Sequence, residues 1–273
     1  MCQTKKRNVT GIMATSTSIL RLIFVFLSLS VIVAPQVTTK AGAESNVAAS
    51  FEPPPGRNAP RGGTVGGGSR PVGTACLSNR SATSGALTAL SPGRQLGLTQ
   101  AERPNFFVYL PQTTAQTAEF SLFDEQMNGI YQMSVPVSKA GVVSIRLPDT
   151  APALAQDKPY YWTVALVCNP SDRTEDLVVG GWIERAQASA TLKQQLANVT
   201  AVEKVSLYAK QGFWYDALNT LVELQRNQPN NPAVATTWAE LMKSVRLDVI
   251  GFAMPKAIAK RCCKAQIATQ PME

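Results

Sequence analysis

Histidine is absent from all 273 residues. That absence removes Ser-His-Asp and Cys-His nucleophile pairs, His-ligated zinc or haem, and the side chain that most often serves as a general base near neutral pH. Charged residues are sparse, at 16%. No Cys-x-x-Cys pair occurs, which argues against thioredoxin-like redox chemistry. The glycines Gly66-Gly67-Gly68 have no strand pattern before them and no Gly-Lys-Ser/Thr after them, so they do not read as a phosphate loop. What the chain does have is apolar side chains: 45% of residues are hydrophobic, enough at this length for one or two domains with a core.

The formal charge of +8 suggests nucleic acid until the charges are located. Lys5, Lys6, Arg7, Arg21 and Lys40 lie in a start that contains no Asp or Glu, ahead of and around the apolar run Leu22 to Ala34. This is the layout of a secretory signal peptide over residues 1–43. Ala41-Gly42-Ala43 supplies an A-x-A site and Pro35 disfavours an earlier cut, so cleavage is expected between Ala43 and Glu44. The alternative is an uncleaved anchor, because Leu22 to Thr39 is uncharged. Between Gly73 and Pro255 there are 14 basic and 15 acidic residues, a near-neutral body that argues against nucleic acid as a partner.

Of the five cysteines, only Cys76 and Cys168 belong to that body, and in an exported protein they predict one disulfide. The vicinal Cys262 and Cys263 fall in a basic tail, residues 256–273.

Residues 44–75 have the composition of a flexible Pro/Gly-rich arm, with Pro53-Pro54-Pro55-Gly56 followed by Arg57 and Arg61. Residues 76–186 carry short β-patterned runs: Phe106 to Leu110, Ala118 to Asp124, Tyr131 to Val135, Val142 to Leu147, Tyr160 to Cys168 and Leu177 to Ile183. In the fifth, Tyr160, Trp162, Val164, Leu166 and Cys168 alternate onto one face, which points Cys168 inward. Strands this closely spaced, with no helical run between them, predict an antiparallel β-sandwich of immunoglobulin-like architecture. Residues 187–255 switch to helical period, with Ser189 and the Thr200-x-x-Glu203 capping box as starts, Pro229 as a stop and Asn231-Pro232 opening a last helix. The expected fold is therefore α+β, a sandwich followed by a helical hairpin region docked on it. Tyr208, Gly212, Trp214, Ala217, Leu221, Leu224 and Pro229 stand at the spacings of one tetratricopeptide unit; Lys204 departs from that pattern, and a plain antiparallel hairpin reads equally well.

Several segments also resemble a family together: Phe51 to Arg57 (FEPPPGR), Gly66 to Arg70 (GGGSR), Gly97 to Pro104 (GLTQAERP), Phe106 to Pro111 (FFVYLP), Tyr160 to Pro170 (YYWTVALVCNP), Gly181 to Arg185 (GWIER) and Gly212 to Leu221 (GFWYDALNTL). In that order they are similar to domain-of-unknown-function family 928, exported proteins of cyanobacterial type, from about Phe51 to Pro255. The resemblance implies an extracytoplasmic bacterial protein and carries no catalytic residue, cofactor or metal ligand with it.

Three constellations invite chemistry. Asp172-Arg173-Thr174-Glu175-Asp176 offers oxygen ligands for calcium but lacks the spacing and glycine of a calcium loop, and reads as a solvated turn. Asp124-Glu125 could join it as a carboxylate pair for glycoside hydrolysis, which needs no histidine. Trp162, Trp182, Trp214 and Trp238 could stack sugars, although their apolar positions favour the core. The leading expectation is a non-enzymatic envelope protein, periplasmic or secreted, that binds another protein. A carbohydrate or cell-wall-binding module comes second and a carboxylate-based hydrolase last.

Overall fold

The computed structural model describes residues 48–60, 76–77, 86–137 and 139–248. Among these residues the chain forms eight strands and then four helices. The strands are β1 (Thr88–Ala89), β2 (Leu96–Thr99), β3 (Asn105–Leu110), β4 (Thr117–Phe123), β5 (Gly129–Pro136), β6 (Gly141–Arg146), β7 (Pro159–Val167) and β8 (Leu177–Arg185). The helices are α1 (Ala190–Ala197), α2 (Ala201–Lys210), α3 (Trp214–Asn227) and α4 (Pro232–Ser244). The fold is α+β.

Two sheets form, one ordered β1-β3-β6 and one ordered β2-β8-β7-β4-β5. Period-2 alternation explains the central register. Trp162, Val164 and Leu166 of β7 point to one side and are fully buried, opposite Leu122, Phe120 and Ala118 of β4. Phe106 and Val108 of β3 and Val143 and Ile145 of β6 join the same core from the other sheet. The strand pairs are antiparallel with one exception, the parallel pairing of β2 with β8 in which Leu96 lies opposite Trp182 and Thr99 opposite Arg185. That pair departs from the all-antiparallel expectation.

Three of the four described helices, α1, α2 and α4, begin where the sequence supplies a side-chain cap; α3 starts after Phe213 without one. Ser189 accepts from the Leu192 N–H, and Asn231 caps α4 ahead of Pro232 in the first turn. The Thr200 and Glu203 capping box is complete in both directions, which satisfies two of the backbone donors left open at the start of α2. The inner faces of α3 and α4 (Trp214, Leu218, Leu221, Val222, Trp238, Leu241) belong to the same apolar core as the sheets. A second, smaller cluster on the other face of the five-stranded sheet collects Leu96, Leu98, Tyr161, Trp182, Leu192 and Phe213. No helix among the described residues is long and apolar enough to cross a membrane.

Residues 48–60 correct the reading of the whole segment 44–75 as a free arm. They form an extended strap seated on the helices, with Ala49, Phe51 and Pro54 buried and the residues between them exposed. Composition alone missed this because a Pro-rich segment forms no helix or strand ladder of its own, and the contacts that hold it come from residues far away in sequence.

Candidate functional site

Most of the segments that carry the family resemblance meet in one place, around the first turn of α3 and the end of β8. The first to arrive is the strap. Its N–H groups donate to fixed acceptors on the body: Ala49 to Glu240 Oε2 at 3.0 Å, Phe51 to Ser244 Oγ at 3.0 Å, and Glu52 to the Ala209 carbonyl at 3.1 Å. The Phe51 ring stands edge-on to Trp214 with centroids 5.4 Å apart. Pro54 lies over Gly212, where φ is +79° and an added Cβ would sit 2.9 Å from Pro54, so both the backbone angle and the close approach call for glycine there. The strap then turns at Pro55-Gly56 (φ +71° at Gly56), closed by the Arg57 N–H on the Pro54 carbonyl.

This turn delivers Arg57 to two carboxylates, Glu184 at the end of β8 and Asp157 at 2.8 Å. Glu184 is buried, and a buried carboxylate needs such a partner. The Arg57 hydrogen bond is the largest influence holding Asp157 below the usual carboxylate range. One residue on, Arg185 binds Glu102 at 2.8 Å and the Leu154 carbonyl at 3.1 Å.

Beneath this rim lies a buried polar knot. Trp162 donates its indole N–H to the Tyr215 hydroxyl at 2.7 Å, and that hydroxyl donates onward to the Trp182 carbonyl at 3.0 Å. Trp214 donates its indole N–H to the Leu90 carbonyl at 2.9 Å. Burial raises the Tyr215 phenol far above its ordinary pKa, so it serves as a fixed donor and acceptor with no accessible phenolate.

Beside the knot, Asp216 takes the third position of α3. Its carboxyl group is enclosed although the residue keeps some exposure, and it accepts from the Gln100 N–H at 3.0 Å and from Thr99. Burial pushes its pKa up to about 6, against the lowering effect of those hydrogen bonds. The Gln100 amide also donates to Tyr208 Oη at 3.3 Å. Burial, with the nearby Asp216 charge second, raises the Tyr208 phenol above its ordinary value.

Cys76 and Cys168 are joined in a disulfide, with Cα atoms 5.1 Å apart. Ala43, Glu44, Cys262 and Cys263 lie outside the described residues. The loop from Asp172 to Asp176 is a single 3-10 turn capped by Asp172, with Arg173 bound to Asp176 and Glu119. No group of three potential metal ligands occurs among the described residues.

Strand register separates the proposed carboxylate pair. Asp124 follows Phe123, which lies opposite Tyr161, whereas the Asp172 loop follows Val167, opposite Thr117 at the far end of the same ladder. Six residues of strand amount to about 20 Å, well beyond the roughly 5 to 9.5 Å that glycosidase carboxylates span. All four tryptophans are at most 2% exposed, which removes the sugar-stacking platform. Glu184, Tyr215 and Asp216 escaped the sequence reading as individual residues, and Arg57 entered it only as one of the basic residues of the arm. Each nevertheless lies inside a segment that carries the resemblance, which was the one available signal.

The fold and this junction define an α+β, disulfide-bonded protein whose distinctive polar residues hold strap, sheet and helix together. The profile of the Domain of Unknown Function family DUF928 matches residues 65–254, well over half of the chain, and the chain belongs to that family. The match begins after the strap. No curated protein and no solved structure matches the chain.

Proposed function

We propose that this is a non-enzymatic binding module of the bacterial cell envelope, exported by a signal peptide cut between Ala43 and Glu44, whose partner is another protein. In this reading the two sheets are the layers of an immunoglobulin-like sandwich, and α2 with α3 is a tetratricopeptide-like pair docked on it. Both sheets and the helices contribute to one apolar core, which supports that reading. The observation that carries the function is how the junction residues are used. Arg57, Glu184, Trp162, Tyr215 and Asp216 are hydrogen-bonded to other parts of the chain, a use that positions surfaces and leaves chemistry no exposed reacting group among them. The Cys76–Cys168 disulfide is consistent with an oxidising compartment.

Cell fractionation with N-terminal sequencing tests export; mature protein beginning near Glu44 outside the cytoplasm is expected, and cytoplasmic protein retaining Met1 refutes it. Crosslinking of the tagged protein in native envelopes, beside co-sedimentation with purified cell-wall polysaccharide, tests the partner class. A specific protein adduct without polysaccharide binding is expected. Polysaccharide binding alone would replace this reading with the carbohydrate-binding one.

A further inference from the structure

The strap is attached to the body in an unusual way. Between Ala49 and Arg57 no residue of it belongs to a sheet, helix or disulfide. Its contacts are those of an extended peptide lying in a groove. Three N–H groups point at fixed acceptors on α2 and α4, one aromatic ring meets Trp214, one proline face meets Gly212, and one guanidinium at the end is clamped by Glu184 and Asp157. Proteins recognise linear segments in this way: backbone bonds and a few spaced anchors supply the affinity, and a Pro-rich segment loses little entropy on binding because it is already extended. Every acceptor and every wall of the groove belongs to the helices, the turn between α2 and α3, β8 or the loop before β7, and none to the strap itself.

We propose that this groove is a peptide-recognition site for the strap sequence itself, and that it takes the strap of a second copy of this chain in exchange for its own. The proposal rests on the reading of the body as a binding module and names one ligand for it. The chain between Pro60 and Cys76 is fifteen residues long. Fully extended, fifteen residues span up to about 50 Å, enough for a strap to reach a neighbouring body while the rest of each chain stays folded. A linked ligand competes at an effective concentration on the order of millimolar. The strap therefore sits on its own body in dilute solution and trades places where copies are crowded. Arg57 sets the specificity. It enters a site that already holds two carboxylates, one of them buried, so a strap without a cation at that position leaves Glu184 buried and unpaired.

The test uses the full chain with a protease site inserted between Gly66 and Gly67. After cleavage, a fluorescent peptide of residues 48–60 is added and its anisotropy followed. Saturable exchange is expected, with the body's tryptophan fluorescence retained. Peptides carrying Phe51→Ala or Arg57→Glu should bind at least about tenfold more weakly. In parallel, two differently tagged uncut copies are mixed at roughly 10 μM to about 1 mM. Mixed-tag species should grow with concentration and be released by excess 48–60 peptide. A cut strap that never exchanges, or a body that unfolds when it leaves, makes the strap a permanent part of the core and overturns the proposal. Peptide exchange without any mixed-tag species would overturn the second copy as its ligand. None of these outcomes depends on where the protein resides, so the fractionation test stands or falls separately.

Discussion

Replacing Tyr215 with phenylalanine removes a single oxygen and keeps the ring, so it isolates what the buried knot contributes. The hydroxyl has two partners, the Trp162 indole N–H at 2.7 Å and the Trp182 carbonyl at 3.0 Å. Trp162 and Tyr215 are almost completely buried, so no solvent can replace the lost partner. Leaving the indole donor unsatisfied costs about 1–3 kcal/mol. The Trp182 carbonyl lies on a strand with ladder partners on both sides and loses less. The total expected for Tyr215→Phe is about 2–3 kcal/mol, and for a domain of this size about 2–4 °C of Tm accompanies each kcal/mol. Urea unfolding followed by tryptophan fluorescence, with the disulfide intact, measures it.

Tyr160→Phe serves as the comparison. Its hydroxyl accepts the Ala155 N–H at 3.1 Å; Tyr160 is itself buried, but Ala155 keeps partial exposure, so water can reach the donor once the oxygen is gone. The same atom removed there should cost no more than about 1 kcal/mol. If Tyr215→Phe falls within about 0.5 kcal/mol of the parent, or is no more costly than Tyr160→Phe, the knot is not what secures α3 to the sheet.

Asp216→Asn should reverse a pH trend. The folded pKa of about 6 stands above the unfolded value near 3.9, so the folded state holds the extra proton between those values and stability falls as pH rises through that window. The variant should therefore gain on the parent by on the order of 2–3 kcal/mol between about pH 4 and pH 7, and parallel chemical-denaturation profiles would refute this. Loss of the disulfide through Cys76→Ala with Cys168→Ala removes a crosslink across 92 residues, for which loop entropy sets about 4 kcal/mol as an upper figure; reductant should destabilise the parent and leave the double variant unchanged. Phe51→Ala should raise acrylamide quenching of the tryptophan emission of the otherwise unchanged protein, because the ring that meets Trp214 edge-on is gone; unchanged quenching would refute that contact.

The parts legible in the sequence were those decided locally. Period-2 alternation located all six expected strands within two residues, and the Ser189, Thr200-Glu203 and Asn231 caps fixed three helix starts, since cap chemistry acts within a single turn. Strand β2 was illegible for a physical reason. It is only four residues long, Leu-Gly-Leu-Thr, with Leu96 and Leu98 on one face and a glycine on the other, too short and too poor in β-branched or aromatic residues to stand out. The strap was missed because its partners lie more than a hundred residues away, as with Ala49 and Glu240 or Arg57 and Glu184. Asp216 is likewise an ordinary first-turn helix acid in sequence, and only its place under Thr99 and Gln100 encloses it.

The knot and the strap depend on one another through α3. An apolar helix face resting on a sheet tolerates small slides and rotations, because dispersion and burial carry little direction. Directional bonds remove that freedom. Tyr215 ties the first turn of α3 to β7 and β8, Trp214 ties it to the Leu90 carbonyl ahead of β2, and Asp216 ties it to the Gln100 N–H just after β2. Together with the Leu98 N–H on the Gly212 carbonyl at 2.8 Å, they fix where the α2–α3 turn sits relative to Glu184 at the end of β8. Those are the positions from which the strap is held, Gly212 and Trp214 at one end and Glu184 at the other, so their spacing has to match the run from Phe51 to Arg57. A disturbance of the knot should therefore reach the strap as well as the core. In Tyr215→Phe the strap should become easier to cut by limited proteolysis than in a variant equally destabilised elsewhere, such as one lacking the Thr200 cap, and equal cutting in the two would separate the knot from the groove.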